Sequence, residues 1–166
     1  MENSAMKLRH FVAFGLALVL GVGITFAVAT TGTVSNADTS SARDEIVRVV
    51  EASYIHGAFN EQNTDAMRKG FHPVFKIHGV RDGELSTYPI DEWTSNIDKR
   101  KAKADYQQET WEHRFPMVDI TGGAAVVKVE LLKVEDGESK HIYTDYLSLL
   151  EFGDGWKITD KVYHRH

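Results

Sequence analysis

The second half of the chain contains four long runs in which apolar and polar residues alternate, separated by glycine-containing turns. The runs cover residues 109–120, 124–134, 140–152 and 156–164. Alternation with a period of two is typical of strands that bury one face, and turns rich in Gly and Asp join antiparallel neighbours. These residues therefore predict a four-stranded antiparallel meander.

Helical patterns precede the meander. Apolar residues recur at helical spacing over residues 42–59, and Asn63 is placed to cap a short second helix that stops at Gly70. A third helix is predicted over residues 91–103, where acidic residues stand in the first turn. The first predicted helix is the longest of the three, and its apolar stripe is expected to face the core.

A hairpin is predicted between the second and third helices. Because proline disfavours the helical conformation in the residue before it, Phe71-His72-Pro73 predicts a loop. Residues 74–80 and 85–88 then form two short strands around Asp82-Gly83. Helices grouped before antiparallel strands predict an α+β fold, in which three N-terminal helices cover one face of a strongly bent sheet. Such a sheet forms a cone-shaped barrel with one open end.

The N-terminus has the layout of an export signal. Lys7 and Arg9 precede the uncharged apolar run 11–30, and small residues suited to signal cleavage follow it. We expect residues 1–37 to be a signal peptide or membrane anchor, 38–42 a linker and 43–166 the folded domain. The domain is therefore expected in the periplasm or secreted, or else anchored to the membrane by residues 11–30.

Composition excludes several classes of function. The chain has 19 basic and 24 acidic residues, a net charge of −5, which argues against general binding to nucleic acid. It has no cysteine, so disulfides, thiol catalysis and thiolate metal sites are excluded. His164 and His166 could bind a metal together with Asp160, but two histidines at a chain end make a weak site. We predict no metal and no cofactor.

The order of elements and several short motifs resemble those of a known superfamily. The motifs are Tyr54 late in the first helix, Phe71-His72-Pro73, Asp91-Glu92-Trp93, Tyr143-Thr144-Asp145-Tyr146-Leu147-Ser148-Leu149-Leu150 and Gly155-Trp156-Lys157-Ile158. Together they resemble the nuclear transport factor 2-like superfamily, of cystatin-like architecture, and within it the putative lumazine-binding group of bacterial proteins. This resemblance implies a cone-shaped domain whose ligand is a small, partly aromatic molecule.

A candidate site follows from the alternation along residues 140–152. Tyr143 and Asp145 share one strand face, and if that face lines the cone they could meet Tyr54 and His72. A carboxylate, an imidazole and phenols around an apolar cavity suit ligand binding, and Asp145 and His72 would be the acid–base residues of an enzyme. A purely structural role, with Asp145 bonded to Lys161 on the neighbouring strand, stays open.

Further side chains complete the predicted ligand-binding set. Trp93, Trp111 and His113 are candidate wall residues, although the tryptophans also suit the core and His113 a satisfied strand position.

Three functions remain compatible with the sequence. The first is a binding module for a small molecule, and the second is a pocket enzyme of the isomerase, dehydratase or cyclase type. The third is an association domain that forms a homodimer through the outer sheet face, where Thr144, Tyr146 and Ser148 are expected.

Overall fold

A computed structural model describes residues 36–166 of the chain. The predicted signal or anchor, including the apolar run 11–30, lies outside the described residues. Within residues 36–166, no helix combines the length and apolar character needed to cross a membrane.

The helical part begins earlier than the apolar pattern predicts. Helix α1 spans Asn36–Val49 and continues directly into a π-helical segment, Val50–Asn60. Residues 38–42, predicted as linker, lie in the first turns of α1, where Ala42 packs against the core. Helices α2, Thr64–Gly70, and α3, Ile90–Lys101, follow at the predicted places.

The π-helical segment determines which side chains share a face. In an α-helix, residues five apart lie about 140° apart around the axis, whereas i→i+5 hydrogen bonding brings them close to one line. Tyr54 and Phe59 are five apart, and their ring centroids lie 5.2 Å apart in an edge-to-face contact. The wider winding thus turns both rings towards the same part of the sheet.

Helix α2 packs closely against the π-helical segment. It begins at Asn63, whose side chain accepts a hydrogen bond from Ala66 N, as the capping pattern predicts. It ends at Gly70, where an added Cβ would stand 2.1 Å from Ser53 Oγ. Only glycine allows this approach.

Six strands form one sheet. They are β1, Phe71–Arg81; β2, Glu84–Pro89; β3, Thr110–Thr121; β4, Ala124–Glu135; β5, Glu138–Phe152; and β6, Gly155–Arg165. Their order is β2-β1-β6-β5-β4-β3. The predicted hairpin and the predicted four-stranded meander are both present, and β1 joins them by pairing parallel to β6.

The predicted loop at residues 71–73 is wrong, because strand β1 begins at Phe71 immediately after α2. The Phe71 side chain is buried and packs 4.6 Å from Phe75, measured between ring centroids, which anchors the start of the strand. The register of β1 against β6 shifts between Phe71 and Lys76. Pro73 lies in this shifted stretch, where its missing N–H removes no regular ladder bond.

The predicted α+β fold is confirmed: the helices pack on a curved six-stranded sheet. Register shifts interrupt the pairing of β3 with β4, β4 with β5 and β5 with β6, and such bulges bend and twist a sheet. Within the described residues the sheet is not closed, since the edge strands β2 and β3 do not pair with each other. Its concave face and the helices enclose the core and leave a cavity at one end.

Candidate functional site

A buried trio of polar side chains lies at the centre of the concave face. Asp145 is fully buried on β5, Tyr54 comes from the π-helical segment and Lys161 from β6. The Tyr54 hydroxyl donates to Asp145 Oδ2 and accepts from Lys161 Nζ at 2.6 Å. Asp145 Oδ1 lies 3.1 Å from Lys161 Nζ, so the two groups form an ion pair. Their geometry does not meet the angles of a hydrogen bond.

A bulge in β6 explains why Lys161 points inward. Trp156 and Ile158 face the core, and strict alternation would then place Lys161 on the outer face. The register of β5 against β6 shifts between Ser148 and Leu149, whose partners are Asp160 and Ile158. The additional residue, Thr159, reverses the alternation. Sequence reasoning named Lys161 only as a structural partner of Asp145.

Lys161 is surrounded by aromatic rings. Its Nζ lies 5.0–5.9 Å from the ring centroids of Tyr54, Tyr163, Phe59, Trp93 and Tyr143. These distances are within the range in which an ammonium group is attracted to an aromatic face. We call this group of five rings the aromatic cage.

Burial shifts the proton affinities of the trio. Loss of hydration lowers the pKa of the Lys161 ammonium group, and Asp145 opposes this shift. Burial, reinforced by the Asp145 charge, raises the pKa of the Tyr54 phenol well above its usual value. Tyr54 is therefore a neutral hydrogen-bond relay between the amine and the carboxylate at any physiological pH.

The aromatic cage opens into a cavity of about 550 Å³. Its lining includes four aromatic residues and the lysine: Phe59, Trp93, Trp111, Tyr143 and Lys161. Trp111 and Tyr143 stack with their centroids 6.1 Å apart, which gives the cavity a flat aromatic wall. Strands β1 and β2 form another wall through residues that include Ile77, Gly79 and Tyr88. Charged side chains of both signs stand around it: Arg81, Glu92, Arg100 and Glu109.

Gln62 adds an unusual polar group to the lining. It follows the π-helical segment with a φ of 50°, in the left-handed region, and its residue surface is only 3% exposed. Its Oε1 is buried and accepts no hydrogen bond within residues 36–166. A buried amide oxygen without a donor is unfavourable, and this one belongs to a residue of the cavity lining.

The structure brings together most of the predicted site residues. Tyr54, Trp93, Trp111, Tyr143 and Asp145 lie in or directly behind the aromatic wall of the cavity. Asp145, Leu147 and Leu149 are buried while Tyr146, Ser148 and Leu150 are exposed, so the face supposed to line the cone is the inner one. Phe59, Gln62 and Tyr163 are additional lining residues that sequence reasoning did not name.

Two predicted residues lie elsewhere. His72 follows the buried Phe71 along β1 and therefore points to the opposite face, where its ring stacks on Phe152 at 4.8 Å. It does not join Asp145, so the predicted acid–base pair is not assembled. His113 packs against Phe115, and its Nε2 lies 3.6 Å from Glu51 Oε1, outside the residues that line the cavity. Within residues 36–166, no three His, Cys, Asp or Glu residues cluster to hold a metal.

Comparison with known families decides the classification. The profile of the family described as "Putative lumazine-binding" matches residues 41–164. This chain belongs to that family. The matched range includes all six strands except the end of β6, and every residue of the buried trio and the aromatic cage. No curated protein matches the chain.

Solved structures agree with this family's fold. A nuclear transport factor 2-like protein of unknown function from Shewanella baltica is 23% identical with a TM-score of 0.60, covering 81% of this chain and 98% of its own. One from Silicibacter pomeroyi is 20% identical with a TM-score of 0.56, covering 77% and 98%. The Chlamydomonas reinhardtii CaMKII hub homology domain is 14% identical with a TM-score of 0.58, covering 75% and 98%. At these identities the likeness concerns the fold alone.

Proposed function

We propose that this domain binds a small, partly aromatic molecule in the cavity. The observation that carries the proposal is the combination of a flat aromatic wall, Trp111 and Tyr143, with the buried amine of Lys161 in one open cavity. Its volume, about 550 Å³, lies within the range of about 300–1,000 Å³ that is common for small-molecule sites. Such a wall suits a planar ring.

The polar groups indicate which functional groups the ligand carries. An acceptor oxygen or nitrogen on the ring would receive a hydrogen bond from Lys161 Nζ, and an N–H or O–H would satisfy the Gln62 Oε1. Lumazine, the compound in the family's description, is a planar bicycle with carbonyl and N–H groups and meets these requirements. We therefore propose a lumazine-like heterocycle as the ligand class.

Calorimetric titration with lumazine tests this proposal. The parent protein is compared with two variants, each of which replaces one tyrosine of strand β5. Tyr143→Leu removes a ring from the cavity wall, whereas Tyr146→Leu removes one from the outer face of β5. We expect the dissociation constant to rise about tenfold in the first variant, which corresponds to about 1.4 kcal/mol, and to stay unchanged in the second. Equal affinities in both variants, or no binding by the parent protein, would contradict the proposal.

We also propose that the domain is exported. The support is the sequence of the N-terminal segment, in which Lys7 and Arg9 precede the apolar run 11–30. Expression of the full chain in a bacterial host, with fractionation and N-terminal sequencing, distinguishes a cleaved signal from a retained anchor. Recovery of the intact chain from the cytoplasm would count against export.

A second candidate function is association of two copies through the outer sheet face. Across this face, Met117, Lys128, Tyr146 and Val162 lie in one row of paired residues, and Tyr146 and Val162 are 39% and 50% exposed. Large apolar side chains on a solvated sheet face favour burial against a second copy. Sedimentation equilibrium of Tyr146→Glu tests this, with Ala52→Glu, at an exposed position of the π-helical segment on the helix side of the sheet, as the control: only the first should shift a dimer towards monomer.

A further inference from the structure

Lys161 is the only lysine among the described residues that line the cavity. Its side chain is 6% exposed, yet it reaches the cavity through the aromatic cage. Lysines are rarely buried, and the loss of hydration disfavours their charged form. A lysine that faces a ligand cavity in such surroundings can act as a nucleophile as well as a cation.

The direction of the hydrogen bonds allows the amine to lose its proton. Lys161 Nζ donates to the Tyr54 hydroxyl, and that hydroxyl donates to Asp145 Oδ2. A shift of one proton along each bond leaves Lys161 neutral, Tyr54 still a phenol and Asp145 protonated. The total charge of the trio does not change, and two buried charges are neutralised together, so the neutral amine is reached from the resting ion pair without leaving an unpaired charge in the site.

The other charged groups around the cavity do not oppose the transfer of the Lys161 proton. Phe59 and Trp93 face the amine from the helices, and Tyr143 and Tyr163 face it from the sheet, so its remaining near neighbours are aromatic. The charged residues of the cavity lining comprise two acids and two bases besides Lys161: Glu92, Glu109, Arg81 and Arg100. Their charges are balanced.

We propose that Lys161 captures small aromatic aldehydes as a reversible imine in this cavity. The Nζ lone pair attacks the carbonyl carbon, and the carbonyl oxygen takes up the proton that the attacking nitrogen loses, which gives a carbinolamine. The proton held by Asp145 returns through Tyr54 to the hydroxyl, which leaves as water, and a protonated imine remains beside the Asp145 carboxylate. One aldehyde and one lysine ammonium therefore give one iminium and one water, with no oxidant or reductant.

The surroundings suit both the substrate and the product. The Trp111–Tyr143 wall provides a surface for the aromatic ring of the aldehyde. The iminium carries the same positive charge as the original ammonium, so the aromatic cage and Asp145 stabilise it in the same way. This inference rests on the proposed function, because the cavity must first admit a small aromatic molecule.

Reductive trapping tests the inference. The parent protein is incubated with benzaldehyde and cyanoborohydride near pH 7, and modified lysines are located by peptide mass mapping. We expect one benzyl group per chain, with labelling of Lys161 at least tenfold faster than that of any exposed lysine. Lys161→Arg, which retains the positive charge beside Asp145, should lose this fast phase, whereas Lys157→Arg on the same strand should retain it.

Lumazine titration of the same samples separates the two proposals. Binding of lumazine without preferential labelling of Lys161 in the parent would overturn the imine inference and leave the ligand-binding proposal in place. If the parent protein neither binds lumazine nor shows preferential labelling of Lys161, both proposals are overturned. Because the decisive comparison is between lysines of one parent molecule, the inference can be refuted even where Lys161→Arg does not fold.

Discussion

Replacing Asp145 by asparagine should reveal how strongly the buried trio depends on its carboxylate. The substitution preserves the shape of the side chain but leaves the Lys161 ammonium group buried without a counter-ion. Breaking a buried ion pair on one side destabilises proteins by about 3–5 kcal/mol, a large part of a typical stability of about 5–15 kcal/mol. For domains of about 100–150 residues this corresponds to a fall in Tm of about 10–20 °C.

The stability lost in Asp145→Asn should depend on pH in a defined direction. Asp145 raises the pKa of Lys161 against the effect of burial, so that pKa falls further in the variant. Consider a pH between the pKa of Lys161 in the folded variant and its unfolded pKa of about 10.4. There the folded state binds fewer protons than the unfolded state, so the stability of the variant rises with pH. The deficit of Asp145→Asn relative to the parent should therefore be largest near pH 6 and shrink towards pH 10.

Thermal denaturation between pH 6 and 10 measures this deficit. Asp154→Asn is the matched control, because Asp154 forms an exposed pair with Lys157 at 3.1 Å. We expect that control to lose less than about 1 kcal/mol. The double variant Asp145→Asn with Lys161→Met should be more stable than Asp145→Asn alone, since no unpaired charge remains. A deficit below 1 kcal/mol at pH 7, or one that grows with pH, would refute this reasoning.

Two further substitutions test the surroundings of the trio. Tyr54→Phe should lose about 1–3 kcal/mol at pH 7, because Lys161 and Asp145 each lose a hydrogen-bond partner. Its deficit should narrow above about pH 10, where the unfolded parent ionises Tyr54 and the folded parent, with its raised pKa, does not; chemical denaturation at pH 7 and pH 11 measures both. Gly70→Ala places a Cβ 2.1 Å from Ser53 Oγ and should destabilise by about 1–3 kcal/mol in urea denaturation. Gly153→Ala, whose added Cβ meets no atom within 4 Å, is its control.

Much of the fold follows from short-range patterns in the sequence. Asp82-Gly83 and Asp136-Gly137 both adopt positive φ, as two-residue hairpin turns of this composition require. The alternation along β5 puts Asp145 and Tyr146 on opposite faces of the sheet, and burial in the structure then identifies the face of Asp145 as the inner one. The turns and the alternation depend only on neighbouring residues, so local composition is sufficient to predict them, whereas the direction of each face depends on what packs against the sheet.

The features that complete the site depend on longer-range geometry. Parallel pairing of β1 with β6 joins strands that are far apart in the sequence, and no local pattern specifies it. The bulge at Thr159 reverses the alternation of β6, so a period of two assigns Lys161 to the wrong face. A loop at residues 71–73 would allow His72 to reach Asp145, but in strand β1 His72 follows the buried Phe71 and faces away from Asp145.

The π-helical segment also has a consequence for the divergence of this family. Relative to a regular α-helix, a wider turn accommodates one more residue, so a single insertion or deletion in the first helix is enough to create or remove it. A relative without the segment would keep Tyr54 over the sheet but rotate the residue equivalent to Phe59 away from the lysine. The length of this helix could therefore separate relatives with a complete aromatic cage from those with an open one, even where all cage residues are present in the sequence.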